Sequence, residues 1–179
     1  MIDKKITEVK KMAVQVILRP LEYEDLPDVK QWYNDPSTLM MIGHTPKSLT
    51  DIEEMVEQME QTKANIYVIE SRQHEKLGWI HLTSINQSHG RAEIGLMLDR
   101  HHQGQGHGEA AMLQMLSYAF DHLRLNKVFL TTRGINEKAR GLYEKLGFKI
   151  EGTFKDHCFV NGKYYDTYFM SLFESDWRH

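Results

Sequence analysis

Cysteine is almost missing from this chain of 179 residues: Cys158 stands alone, so no intrachain disulfide can form. No CxxC pair or Cys/His ladder offers a structural zinc site, and a reducing cytoplasm is the expected setting. No apolar run is long enough to span a bilayer as a helix, so no membrane partner is expected. A basic excess is missing too. Net charge is −3, and no segment gathers Lys and Arg densely, which disfavours a nucleic-acid partner. The opening residues interleave charges (Asp3, Lys4, Lys5, Glu8, Lys10) ahead of any apolar run, unlike a secretory signal. Residues 1–11 are expected to be an extension, leaving 12–179 as one domain.

What is present suits a folded core: 41% of residues are hydrophobic and 26% charged, too apolar a mixture for a disordered chain. All four prolines lie at or before Pro46, so regular structure should be dense beyond that point. Val14–Leu18 reads as a first strand closed by Pro20. A helix follows, with Leu26, Val29, Trp32 and Tyr33 on one face and Asn34, Asp35 and Pro36 as its stop. Ser48 and Asp51 form a capping box for a second helix. Its inward face is Leu49, Ile52, Met55, Val56 and Met59; its outer face is acidic, with Glu53, Glu54, Glu57 and Glu60. Strands are expected at 66–69, 77–85 and 92–98. A glycine-rich loop leads into a helix to about His122, with Ala111, Met112, Met115, Leu116, Ala119 and Phe120 inward. A strand at 127–132 and a helix at 136–146 follow, the latter ended by Gly147. Strands at 154–160 and 163–172 flank Asn161-Gly162, a strong hairpin signal. The fold class is therefore α/β: a mixed, mostly antiparallel central sheet of about seven strands, flanked by helices on both faces.

The segment Gln103-Gly104-Gln105-Gly106-His107-Gly108 sits between a strand end and a helix start. A helix N-terminus offers unpaired N–H groups and a partial positive charge, and glycines let a phosphate approach the backbone. A pyrophosphate is the natural ligand. The dinucleotide fingerprint requires glycine where Glu109 stands, and a P-loop requires a Gly-Lys-Ser/Thr ending; neither is satisfied.

These residues resemble the GNAT superfamily of acetyl-CoA-dependent N-acetyltransferases. Its Gln/Arg-x-x-Gly-x-Gly/Ala motif is matched by Gln103, Gly106 and Gly108, and a second block by Asn136 with Leu142 to Phe148. The element order agrees from Val14 to Leu172. The resemblance implies acetyl-CoA as cosubstrate, held by the backbone of Leu96, Met97 and Leu98, by the loop and first helical turn through Glu109 (Gln103, Gly104, Gln105, Gly106, His107, Gly108, Glu109), and by Asn136. It implies Tyr143 as the acid that serves the departing thiolate. Without it, Asn136 reads as a helix N-cap and Tyr143 as packing.

An alkylammonium with pKa of about 10.4 must lose a proton before it can attack. Glu93 is the candidate base, direct or through water, with His81 in reserve. His101, His102 and His107 lack a partner carboxylate at a ligand spacing, so no metal is expected. Cys158 has no readable His-Asn partner and is not expected as a nucleophile.

Within the superfamily, Ile85-Asn86, Arg91-Ala92-Glu93, Glu151-Gly152 and Asn161-Gly162 resemble the branch of spermidine N-acetyltransferases and ribosomal-protein N-terminal acetyltransferases. The polyamine enzymes of that branch carry acids after the first helix and on the third strand; here those places hold Met40 to Thr45, and His81 with Ser84. The expected activity is acetyl transfer to a primary amine in a ternary complex. A polyamine or similar small amine is the first acceptor and a peptide N-terminus the second. A non-catalytic acyl-CoA-binding protein on the same fold is the alternative from another class, and homo-oligomerisation is left open.

Overall fold

The structure, a computed structural model, describes residues 14–178. The extension expected over residues 1–11 lies outside the described residues. Seven strands form one sheet in the order β1-β2-β3-β4-β5-β7-β6. They are β1 (Ile17–Pro20), β2 (Asn65–Glu70), β3 (Lys76–Asn86), β4 (Arg91–Leu98), β5 (Lys127–Arg133), β6 (Lys149–Val160) and β7 (Lys163–Phe173). Every neighbouring pair is antiparallel except β4 and β5. A parallel partner cannot be reached by a tight turn, and β4 and β5 are joined by a helical crossover over residues 100–122. At the β6–β7 turn Asn161 and Gly162 both take positive φ, +49° and +83°, as a type I′ hairpin requires.

The helices are α1 (Leu26–Asn34), α2 (Pro36–Ile42), α3 (Leu49–Gln61), α4 (His107–Ser117), α5 (Glu137–Lys145) and a last turn, α6 (Glu174–Trp177). Strand alternation sends successive side chains to opposite faces, so the sheet builds two cores. Ile80, Leu82, Ala92, Ile94, Val128 and Leu130 pack with Met112, Met115, Leu116 and Phe120 and with Tyr143 and Leu146. Val68 and Trp79 face the other way, onto Leu26, Val29 and Trp32 of α1 and Ile52 and Val56 of α3. Among the described residues no helix is long and apolar enough to cross a membrane.

Four local expectations need correction. The first strand runs Ile17–Pro20, not Val14–Leu18: its limits follow from pairing with β2, and Pro20 sits within it because β1 is an edge strand. Asn34, Asp35 and Pro36 do stop α1, which ends at Asn34, but a further helix that was not expected follows at once. Asp35 accepts from the Ser37 and Thr38 N–H groups, and Pro36 opens α2, so Met40 to Ile42 are helical and not loop. Leu49, expected inward, is 36% exposed at the start of α3. β6 begins at Lys149, five residues before its expected start, and reaches the hairpin through register shifts after Ile150 and Phe154. The Ser48–Asp51 capping box is present as read.

Candidate active site

The parallel pair opens into a wedge. β4 and β5 are joined only over Arg91–Glu93 and Lys127–Phe129, while β5 follows β7 along its whole length to Arg133. Leu96, Met97 and Leu98 pair on one side with Ile80, Trp79 and Gly78. Among the described residues no strand takes their other side, so the backbone of the three residues borders an open cleft.

At the wide end of the wedge lies the glycine loop. Asp99 caps the turn Arg100–His102 through the His101 N–H at 2.7 Å, and α4 then starts from Gly106, an N-cap with no side chain to satisfy the first-turn N–H groups. Gly104 and Gly106 adopt φ of +74° and +87°. Gly108 has a different duty: a Cβ there would lie 3.2 Å from Leu96 Cδ2 and 3.3 Å from Leu98 Cδ1, so its absence lets α4 sit directly on β4. The polar side chains of the loop are turned onto the protein. Gln103 Nε2 donates to the Leu98 carbonyl at 3.1 Å, Gln105 Nε2 to that of His101 at 2.8 Å, and the Glu109 carboxylate pairs with Lys145 at 2.6 Å. At the helical end of the loop no side chain caps the first-turn N–H groups. His107 Nδ1 approaches the His102 carbonyl at 3.2 Å, and no group of three His, Cys, Asp or Glu among the described residues is arranged to hold a metal ion.

The helix α5 brings the other expected residues to the first core. Asn136 Oδ1 accepts from the Ala139 N–H at 3.2 Å, capping α5 and leaving its amide N–H₂ group unused. Tyr143 is 9% exposed, its ring 5.9 Å from that of Phe148, in the cluster to which Leu96, Leu98 and Leu142 also belong. Burial pushes its pKa up to about 12, so the phenol keeps its proton, and the hydroxyl has no hydrogen-bond partner among the described residues.

Glu93 faces the other way. It lies on the face that carries Trp79 and Met97, opposite Thr83 of β3 and Phe129 of β5 in the last pair before the wedge. Among the described residues the half-buried carboxylate has no hydrogen bond or ion pair, and burial raises its pKa. His81, the reserve base, is a poor one: burial pushes its pKa down to about 4. Cys158 is buried with its thiol toward the Tyr165 carbonyl, far in register from β4.

Sequence reasoning missed the pocket beside Glu93. About 570 Å³ in volume, it is lined by Ser84, Asn86, Arg91, Lys127, Phe129 and Phe169, with Thr62 from the end of α3. A bulge in β3 opens it, where Ser84 takes φ of +51° and two residues oppose one on β4. Phe129 and Phe169 stack at 5.2 Å along one wall, and Lys127 is held by Glu151. The local signal, a polar Ser84 within an apolar strand, is visible only in hindsight of the register. On α3 the acidic face is solvated, and Glu57 accepts from the Tyr23 hydroxyl at 2.9 Å.

Residues 15–149 match the acetyltransferase (GNAT) domain. The chain is 32% identical over 163 residues to the spermidine N(1)-acetyltransferase of Escherichia coli, covering 90% of this chain and 88% of that protein. It is 31% identical over 166 residues to the Vibrio cholerae enzyme of the same name, covering 92% and 96%. The crystal structure of spermidine N-acetyltransferase from Vibrio cholerae in complex with CoA and spermine superposes with a TM-score of 0.84 at 30% identity, over 92% of this chain and 99% of that one.

Proposed function

The chain belongs to the GNAT acetyltransferases, and on that footing we propose that it transfers acetyl from acetyl-CoA to a polyamine by direct attack in a ternary complex. The observation that carries this reading is the wedge with a proton-handling group on each face of the sheet: Tyr143 on one, Glu93 on the other. In this reading the pyrophosphate rests on the N–H groups from Gln103 to Glu109, the pantetheine arm pairs with the backbone of Leu96 to Leu98, and the Asn136 amide donates to the same arm. The amine enters from the Glu93 side. Glu93 takes its proton, and the freed lone pair attacks the acetyl carbonyl carbon.

As the C–S bond breaks, negative charge gathers on sulfur, and Tyr143 donates to it. A phenol near 12 is a weaker acid than a free thiol of about 8.5, so the donation stabilises the thiolate as a strengthening hydrogen bond, and solvent completes the protonation.

The relatives at about a third identity act on spermidine by name, and a half-buried carboxylate beside an aromatic wall suits an alkylammonium. A peptide N-terminus is the second reading. It draws on Arg91 and Lys127 in the pocket, which offer donors to peptide carbonyls and repel a distal ammonium. A binding module without activity would have no use for the unpaired Glu93 and Tyr143. Spermidine and short peptides presented at matched concentrations with acetyl-CoA decide, read as free thiol release. Turnover confined to peptides overturns the polyamine acceptor, and release with neither overturns both.

A further inference from the structure

β3 supplies the cleft with a side chain that β4 lacks. His81 pairs with Gly95, two residues beyond Glu93 and within the part of β4 that β5 no longer joins. A Cβ built on Gly95 would meet His81 Cε1 at 2.2 Å and Nε2 at 2.5 Å, so the imidazole lies across that glycine. The Cε1–Nε2 edge of the ring therefore stands where a side chain of the wedge strand would stand. It is on the face of Glu93, diagonal to it in the ladder, a spacing of roughly 7–8 Å between positions. Trp79 packs against the ring, with centroids 5.0 Å apart.

The tautomer follows from burial. Of the two ring nitrogens only Nδ1 is both sealed from solvent and without a partner. A neutral imidazole carries its proton on one nitrogen, and a sealed N–H with no acceptor is the rarer orphan, so the proton belongs on Nε2. The ring stays neutral near pH 7 because burial alone sets its pKa, with no neighbouring charge contributing. Charged strand residues on this face include Glu93 and Arg91 of β4, Lys127 and Arg133 of β5 and Arg19 of β1; Lys127 is turned to Glu151, and Arg19 to Asp25 and Glu70.

We propose that His81 is a positioning residue for removal of the acceptor's proton: laid over Gly95, its Nε2–H donates to a water that bridges the incoming amine and the Glu93 carboxylate. The inference rests on the reading of Glu93 as base. The ammonium gives one proton to the bridging water while that water gives one of its own to Glu93, and the nitrogen lone pair so freed forms the N–C bond. The imidazole neither gains nor loses a proton. Thr83, opposite Glu93, offers its hydroxyl as a second anchor for the water.

Two measurements test this. Long-range ¹H–¹⁵N correlation on the ¹⁵N-labelled ligand-free protein, with His81 assigned by its loss in His81→Gln, should show a neutral Nε2–H ring from pH 5.5 to 8. An Nδ1–H ring or an imidazolium in that range overturns the proposal. In steady-state assays His81→Ala should lower kcat about 10- to 100-fold with the acetyl-CoA KM unchanged, as expected for a misplaced reacting group. His81→Gln, whose amide keeps an N–H donor, should recover most of that loss, and Gly95→Ala, which displaces the ring, should fall with His81→Ala. A Gln variant no better than Ala removes the donor role, and loss of the acidic limb of the pH–rate profile in His81→Gln makes His81 the base itself. If instead Glu93→Gln leaves that limb intact, the fault lies with Glu93, and the tautomer of His81 is untouched by it.

Discussion

Glu93 and Phe129 form the last pair that joins β4 to β5 before the strands part. A carboxylate at that point is half-desolvated by the sheet on one side and reaches the cleft on the other, and neither Arg91 nor Lys127 pairs with it. The same placement that suits it for taking a proton makes it an unfavourable buried charge.

Glu93→Gln should therefore separate activity from stability. A carboxyl whose folded pKa is raised contributes stability below its unfolded value, about 4.3, and loses it as pH rises through the folded pKa. At pH 7 the Gln variant should unfold at the same temperature as wild type or higher, and the advantage should vanish near pH 4. Its turnover should fall most at low pH, where deprotonated amine is scarcest, and recover in part as pH rises. A pH–rate profile parallel to that of wild type would remove Glu93 from the role of base.

The loop at the other end of the wedge is tested at Gly106. With φ of +87° and Val14 Cγ2 only 3.3 Å from a built Cβ, Gly106→Val strains the backbone and fills the space over the helix N-terminus. Acetyl-CoA binding by calorimetry should be lost, and the melting temperature should drop as well. Affinity equal to wild type in the folded variant places the pyrophosphate elsewhere.

Local chemistry was the legible part of this molecule. Ser48 and Asp51, Asn161-Gly162 and the Gln103 to Gly108 loop each state their structure within a few residues, because caps, primed turns and left-handed glycines are local requirements. The stop at Pro36 was legible and the short helix it opens was not, because a proline that ends one helix and a proline that opens the next look alike until the Asp35 side chain is seen to cap. The limits of β1, the imidazole lying on Gly95 and the pocket opened at Ser84 depend on which residues face each other across strands. Register joins positions far apart in the chain, and no periodicity within one strand carries it.

Asn136 holds two roles on two atoms, which substitution can separate. Its Oδ1 caps α5, and only its Nδ2 is free for a ligand. Asn136→Asp keeps a capping oxygen and removes the amide donor, so thermal stability should stay near wild type while acetyl-CoA affinity falls. Asn136→Ala removes both and should cost about 0.5–2 kcal/mol of stability as well. Equal affinity in the Asp variant and wild type, measured by calorimetry, leaves Asn136 as a cap alone.

Tyr143 is expected to act on the leaving group and not on binding. Its ring is packed into the core beside Phe148, but the hydroxyl bonds to no described residue, so Tyr143→Phe removes one O–H and little packing. Folding and the KM for acetyl-CoA should change little. A preorganised hydrogen-bond donor to a developing negative charge contributes typically about 10²–10³-fold, and kcat should fall within that range. Because the phenol titrates near 12, far above the working range, its loss should lower the pH–rate profile without changing its shape between pH 6 and 9. That distinguishes it from Glu93, whose loss deforms the acidic side. A Phe variant with near-normal turnover means that the thiolate leaves on solvent alone, and the phenol of Tyr143 then serves only to fill the core beneath the wedge.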